Sequence, residues 1–84
     1  MSELRKTDIP LDNVQFSYDA LRGKIVEVCG RNKVFADRMG ISEASLSAKL
    51  AGKVGFSQEE IFKACRILGI TDYQIVTYFF DVRV

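Results

Sequence analysis

The chain has 84 residues, 48% of them hydrophobic and 27% charged, with a formal net charge of +1. This composition is typical of one small folded domain and excludes an intrinsically disordered chain. The sequence has neither a run of about 18 apolar residues nor the apolar stretch of a signal peptide, so we expect a cytoplasmic protein without a transmembrane helix.

An N-terminal arm is predicted for residues 1–16, followed by a single domain over residues 17–84. The arm contains the only proline, Pro10, and shows no sustained helical period. Its few apolar residues could pack part of it onto the domain. We therefore expect an irregular segment rather than a further helix.

The first predicted helix runs from about Ser17 or Tyr18 to Cys29, with Ser17 as its cap. Gly30 ends this helix. One apolar face repeats at helical spacing and consists of Leu21, Ile25, Val28 and Cys29.

Two short helices joined by a glycine turn follow, which is the layout of a DNA-binding helix-turn-helix. Gly40 can adopt the left-handed conformation that ends a helix. Ser42 can accept a hydrogen bond from the free N–H groups of the next helix. The predicted bounds are Lys33–Met39, capped by Asn32, and Glu43–Ala51, capped by Ser42 and followed by Gly52.

The third helix combines an apolar stripe with a small, polar outer face. Leu46 and Leu50 are four residues apart and point toward the core. The outer face is then formed by Ala44, Ser45, Ser47, Ala48 and Lys49. A helix with such an outer face can lie in the major groove of DNA.

Two capping boxes predict the remaining helices. Ser57 and Glu60 open the fourth helix, and Thr71 and Gln74 form a weaker box that opens the fifth. The fifth helix is predicted over Asp72 to about Phe80. Because no alternating strand pattern is present, the predicted fold is a compact all-α domain of five helices.

With this helix order, the chain resembles the lambda-repressor-like (Cro-type) helix-turn-helix family, and within it small phage and prophage regulators of Gram-positive bacteria. The resemblance covers roughly residues 18–80. The residues that carry it are Tyr18, Leu21, Arg22 and Gly23; Phe35-Ala36; Met39-Gly40-Ile41-Ser42; Leu46-Ser47; Lys49-Leu50; Gly52-Lys53; Phe56 to Ile61; Leu68-Gly69-Ile70; and Tyr78-Phe79-Phe80. It implies a five-helix fold and a repressor that binds a partly palindromic operator as a homodimer.

A basic segment supports contact with double-stranded DNA. Between Arg22 and Lys53 there are seven basic and three acidic residues, and the rest of the chain is net negative. An ordinary solvated helical surface would give the same count. The candidate DNA-binding residues are Asn32, Lys33, Ser42, Glu43, Ala44, Ser45, Ser47, Ala48, Lys49 and Lys53.

The C-terminus is unusually apolar for a chain end. Ile75, Val76 and Phe79 are predicted to face inward from the fifth helix. The candidate dimer-interface residues are those left over, namely Tyr73, Tyr78, Phe80 and Val82. Alternatively, the tail folds back and completes the core of the monomer.

Two functional hypotheses follow. The first is a sequence-specific repressor of the Cro type that contacts its operator through the helix over residues 43–51. The alternative is a protein-binding module, similar to an antirepressor, that captures another regulator protein. The low net charge, Glu43 at the start of the outer face and the apolar C-terminus fit this alternative.

Catalytic chemistry has little support in the sequence. The chain has no histidine, no glycine-rich phosphate loop and no nucleophile paired with a base, so we expect no enzyme activity. The carboxylates lack the spacing of metal ligands, and we expect no metal or other cofactor. Cys29 and Cys65 occupy apolar helical positions and are interpreted as reduced core thiols.

Overall fold

A computed structural model describes residues 14–83, which form five helices and two short strands. The elements are β1 (Gln15–Ser17), α1 (Asp19–Cys29), α2 (Asn32–Met39), α3 (Glu43–Leu50), α4 (Gln58–Leu68), α5 (Ile75–Phe79) and β2 (Asp81–Arg83). A 3₁₀ turn at Asp72–Gln74 directly precedes α5. Within these residues, none of the helices has the length and apolar character needed to cross a membrane.

Hydrogen bonds at the helix ends follow the predicted capping signals in α3 and α4. The hydroxyl of Ser42 accepts a hydrogen bond from the backbone N–H of Ser45 at 3.0 Å. Ser57 and Glu60 form the full reciprocal box at the start of α4. Gly40, which separates α2 from α3, has a φ of +79°, a conformation that a side chain would strain.

The fifth helix was predicted from Asp72 to about Phe80, whereas α5 spans Ile75–Phe79 after the 3₁₀ turn. Three boundaries of the first three helices also differ from the prediction. Asn32 is the first helical residue of α2, and the cap position belongs to Arg31. Tyr18 rather than Ser17 is the residue before α1, and α3 ends at Leu50. These are shifts of one residue, because helix ends are set by local geometry that several neighbouring residues can satisfy.

The core is built from one face of each helix. Its largest fully buried side chains are Phe35, Phe79, Leu21, Ile25, Met39 and Leu46. Cys65 is also buried and Cys29 half-buried, both as free thiols. Val76 is an exception to the prediction, because it is 63% exposed although it was expected to face inward. The fifth helix has barely more than one turn and buries only Phe79 fully.

A two-stranded antiparallel sheet joins the two ends of the described chain. Its register pairs Gln15 with Arg83, Phe16 with Val82, and Ser17 with Asp81. The helical part of the fold-class prediction holds, but the expectation of a purely all-α domain is wrong. Each strand has only three residues, too few for an alternating pattern to be recognised in the sequence.

The sheet also changes the predicted domain boundary. Residues 15–17 belong to the folded unit, whereas the prediction placed residues 1–16 in an arm. The remainder of that predicted arm, residues 1–13, lies outside the described residues. At the other end, the tail folds back along β1, which was the alternative to its use in a dimer.

Candidate functional site

The outer face of α3, which was predicted to enter DNA, is small and lacks a basic group. Glu43, Ala44, Ser45 and Ser47 are exposed there, as expected, and Ala48 is half-buried. Lys49 is the only basic residue of this helix, and it is buried, with 8% of its surface exposed. The exposed face therefore carries one carboxylate and no cation.

Lys49 is held inside the domain by three partners. Its ammonium lies 3.0 Å from a carboxylate oxygen of Glu60 and 3.1 Å from the carbonyl oxygen of Gly55. It also lies 5.8 Å from the centre of the Phe56 ring. The prediction that Lys49 lies on the exposed outer face of α3 is wrong, because these contacts direct its side chain toward α4 and the loop between α3 and α4.

Glu60 links this buried cation to the start of α4. One of its oxygens accepts a hydrogen bond from the backbone N–H of Ser57 at 2.9 Å. That hydrogen bond, together with the ammonium of Lys49, lowers the pKa of Glu60 below its ordinary value of 4.5 although partial burial acts in the opposite direction. The carboxylate therefore stays ionised. It caps α4 and pairs with Lys49 at the same time.

Three of the candidate DNA-binding residues, Asn32, Lys33 and Lys53, lie outside α3. Asn32 is half-buried at the start of α2. Lys33 is exposed and lies 3.8 Å from Asp37, one turn further along the same helix. Lys53 is exposed in the loop between α3 and α4. Asn32 and Lys33 thus belong to α2, whereas Lys53 belongs to the loop that follows α3.

An aromatic groove lies elsewhere, where the sheet, the start of α1, the α3–α4 loop and the end of α5 meet. It encloses about 580 Å³. Its aromatic walls consist of Phe16, Tyr18, Phe56, Phe79 and Phe80, and its aliphatic lining includes Val14, Leu50, Val54 and Ile61. We call this feature the aromatic groove.

The five aromatic rings of the groove form one connected chain. Phe16 contacts Phe80 edge-on, with 5.8 Å between ring centres, and lies 6.5 Å from Tyr18. Tyr18 in turn contacts Phe56 at 5.4 Å, and Phe56 contacts Phe79 at 5.3 Å. This series of rings begins at the buried ring of Phe79 and ends at the partly exposed rings of Phe16 and Phe80. An apolar side chain of a partner could therefore pack against its exposed end.

Three charged side chains, those of Asp19, Arg22 and Arg83, also line the groove. A guanidinium nitrogen of Arg22 donates a hydrogen bond to the carbonyl oxygen of Leu50 at 3.0 Å. Arg83, on β2, lies 3.8 Å from a carboxylate oxygen of Asp19. The groove therefore combines apolar and charged side chains in its lining, as binding sites commonly do.

Burial also affects the one ionisable ring in the groove wall. Tyr18 is buried, and desolvation raises the pKa of its hydroxyl above the ordinary value of 10.0. The ring is therefore neutral at physiological pH and serves as part of the apolar wall.

The four predicted dimer residues occupy separate environments. Tyr73 is 93% exposed in the 3₁₀ turn, and Tyr78 is half-buried against the core. Phe80 lines the aromatic groove, whereas Val82 pairs with Phe16 in the sheet. Of these four residues only Phe80 lines the aromatic groove, and the sequence did not predict the other four aromatic residues of the groove as part of a binding surface.

The groove residues that were missed had a weak signal in the sequence. Five of the nine aromatic residues of the chain line the groove, and they come from both ends of the described region and from the α3–α4 loop. Phe16 and Tyr18 precede the first helix, where no helical period places them. Only the pairing of β1 with β2 brings these rings to the residues that follow α5.

Comparisons with known proteins give a different family from the predicted one. Residues 14–82 match the family described as "Protein of unknown function (DUF739)". The chain is also similar to the solution structure of the modulator of repression (MOR) of the temperate bacteriophage TP901-1 from Lactococcus lactis. That match has 42% sequence identity and a TM-score of 0.70, and it covers 79% of this chain and 89% of the other. No curated protein matches the chain.

These findings correct the main functional prediction. The matched structure is a modulator of repression, so the predicted Cro-type family and the predicted Cro-type repressor function are wrong. A DNA partner and a homodimer find no support in the matches. The pattern of Ala36, Gly40 and Leu46 specifies how two helices pack, and it does not determine what their exposed face binds. The chain belongs to the DUF739 family.

Proposed function

We propose that this protein is a phage-associated, protein-binding regulator that modulates repression by binding a repressor protein in its aromatic groove. The observation that carries the proposal is the similarity to the modulator of repression of bacteriophage TP901-1, at 42% identity over most of both chains. Because the match covers most of both chains, we extend the role named for that protein, modulation of repression, to this one.

The charge of α3 favours a protein partner over DNA. Affinity for DNA depends on cations that neutralise phosphates. The exposed face of α3 offers Glu43 and small neutral residues, because Lys49 is buried against Glu60. A carboxylate at the start of such a face repels phosphate, so a helix of this kind gains little from entering the major groove.

The aromatic groove has the properties of a protein-binding surface. Phe16 is 36% exposed and Phe80 is 45% exposed, and Val54, which also lines the groove, is exposed as well. Interfaces concentrate their binding energy in aromatic anchors that fill apolar pockets. Exposed rings beside an open groove can provide such anchors and also accept one from the partner.

Regulation then follows from mass action. A protein that binds the repressor lowers the concentration of free repressor, and therefore changes how much of the operator is occupied. This mechanism needs neither catalysis nor contact of this chain with a base.

Isothermal titration of this protein into the purified repressor of the phage or prophage that encodes it tests the proposal. We expect saturable binding by the repressor. In a parallel titration with operator DNA alone, we expect no sequence-specific binding. A specific complex with the operator, together with no binding to the repressor, would overturn the proposal.

Two variants locate the binding surface in the same titration. We expect Phe16→Ala together with Phe80→Ala to weaken repressor binding by about tenfold or more, because both rings would be anchors of the interface. Ser45→Glu is the matched control on the outer face of α3, and it should leave the affinity unchanged. If Ser45→Glu weakens repressor binding and the double variant does not, the interface lies on α3 instead of in the groove.

A further inference from the structure

The aromatic groove carries an excess of positive charge beside its apolar walls. Among its charged lining residues, Arg22 and Arg83 are basic and Asp19 is acidic. Asp19 lies 3.8 Å from Arg83, whereas no carboxylate within residues 14–83 forms an ion pair with the guanidinium of Arg22. A segment that fits this surface therefore needs both apolar side chains and a negative charge.

Arg22 is also held in place before any partner arrives. One guanidinium nitrogen donates to the carbonyl oxygen of Leu50 at 3.0 Å, at the last residue of α3. A guanidinium has five N–H donors in a fixed plane, so this bond fixes its orientation and leaves other donors for a ligand. Within residues 14–83, the ion pairs are Lys24–Glu27, Lys33–Asp37, Lys49–Glu60 and Arg83–Asp19, and none involves Arg22.

We propose that Arg22 binds a carboxylate of the partner, and that the groove selects a segment in which an aspartate or glutamate lies next to an apolar or aromatic side chain. This inference rests on the proposed function, which supplies a protein as the occupant. The apolar side chain contacts the rings of Phe16 and Phe80 while the carboxylate accepts hydrogen bonds from the guanidinium. Arg22 is thereby a specificity-determining residue of the groove.

A purely structural role for Arg22 makes a different prediction. If the side chain only satisfies the carbonyl group of Leu50, its replacement lowers the stability of α3 but leaves the groove without any preference for charge. The preference of the groove for an anion over a neutral ligand of the same shape therefore separates the two roles, and it can be measured on the unaltered protein.

The direct test compares N-acetyl-phenylalanine, which carries a carboxylate, with its neutral amide. Each is titrated into the isotope-labelled full chain, and the side-chain N–H signal of Arg22 and the ring signals of Phe16 and Phe80 are followed by NMR. We expect both probes to shift the ring signals. The carboxylate should bind at least about threefold more tightly and should also shift the signal of Arg22. Equal affinities, or no binding of either probe, would overturn the proposal.

Variants of Arg22 test whether this residue causes the preference for the carboxylate probe over the amide. Arg22→Gln should abolish the difference between the two probes, and Arg22→Lys should retain part of it because the charge remains. Arg66→Gln is the control, since Arg66 lies on α4 over the ring of Phe62 and does not line the groove. A preference that survives Arg22→Gln would contradict the assignment.

Two other occupants of the groove are outcomes of the same experiment. Asp12 is the acidic residue nearest in sequence to the described region on its N-terminal side. If Asp12→Asn, without any probe, shifts the signal of Arg22, a carboxylate of this chain already pairs with the guanidinium and the proposal fails. If the signal of Arg22 changes with the concentration of the protein alone, the occupant is a second copy, and the proposal fails as well.

A final titration separates this inference from the proposed function. With the repressor as ligand, we expect Arg22→Gln to weaken binding by about tenfold, and less at high salt. If the repressor binds Arg22→Gln as well as the unaltered protein, the carboxylate inference alone is wrong. If the probes show the preference but the repressor does not bind, the proposed partner alone is wrong.

Discussion

Lys49 shows how one side chain can decide between two functional interpretations. With Leu46 and Leu50 as the apolar stripe of α3, Lys49 was predicted on the outer face, although residues three apart, such as Leu46 and Lys49, share one side of a helix. In the structure it is buried, and it pairs with Glu60 and with the carbonyl group of Gly55. Its partners come from α4 and from the loop before it, and the sequence around residue 49 does not identify them.

Replacement of Lys49 by methionine should destabilise the domain. Methionine fills a similar volume, but it leaves the carbonyl group of Gly55 and the carboxylate of Glu60 without their partner. We expect a loss of about 2 kcal/mol in the free energy of unfolding, measured with urea. Lys53→Met, on an exposed loop lysine, should change it by less than about 0.5 kcal/mol. Equal effects of the two variants would show that Lys49 is not held by its partners.

Glu60 makes part of the stability dependent on pH. Its pKa is lower in the folded protein than the ordinary value of 4.5, which applies to the unfolded chain. The stability it contributes is therefore present above about pH 4.5 and is lost as the pH falls through the lower folded value. The stability difference between the unaltered protein and Glu60→Gln should shrink on acidification across this range. A difference that stays constant would contradict the role given to this carboxylate.

Among the elements, the helices were predictable from the sequence and the sheet was not. Capping residues and glycines mark where helices begin and end within a few residues of chain, as Ser42, Gly40 and Ser57 do here. The pairing of β1 with β2 instead joins segments at opposite ends of the described region. Without that pairing, the C-terminal aromatic residues seemed to lack intramolecular partners and suggested a dimer.

The sheet has a direct consequence for the groove, because it brings Phe16 next to Phe80. The two rings meet edge-on, with 5.8 Å between their centres. A double-mutant cycle with Phe16→Ala and Phe80→Ala should give a coupling energy of about 0.5–1 kcal/mol in the free energy of unfolding. Additive losses would show that the rings are not in contact in solution, and that the groove is more open at this end.

For the whole molecule, the sequence predicted a small helical regulator but favoured the wrong partner. The spacing of Gly40, Leu46 and Leu50 defines a pair of packed helices, and many proteins use such a pair for unrelated purposes. Two features of its surface distinguish this chain. The only lysine of α3, Lys49, is buried, and an aromatic groove is formed by segments that lie far apart in the sequence. The low net charge and the apolar C-terminus, which supported the protein-binding alternative, were the more informative features.

The most direct test of the account is an NMR footprint of the purified repressor on the isotope-labelled protein. We predict that backbone signals of Phe16, Val54 and Phe80, together with their neighbours in the groove, shift or broaden at low ratios of repressor to protein. Signals of Ala44 and Ser45 on the outer face of α3 should stay unchanged. A footprint confined to α3, or no change at any ratio, would contradict the claim that this protein modulates repression by binding a repressor through its aromatic groove.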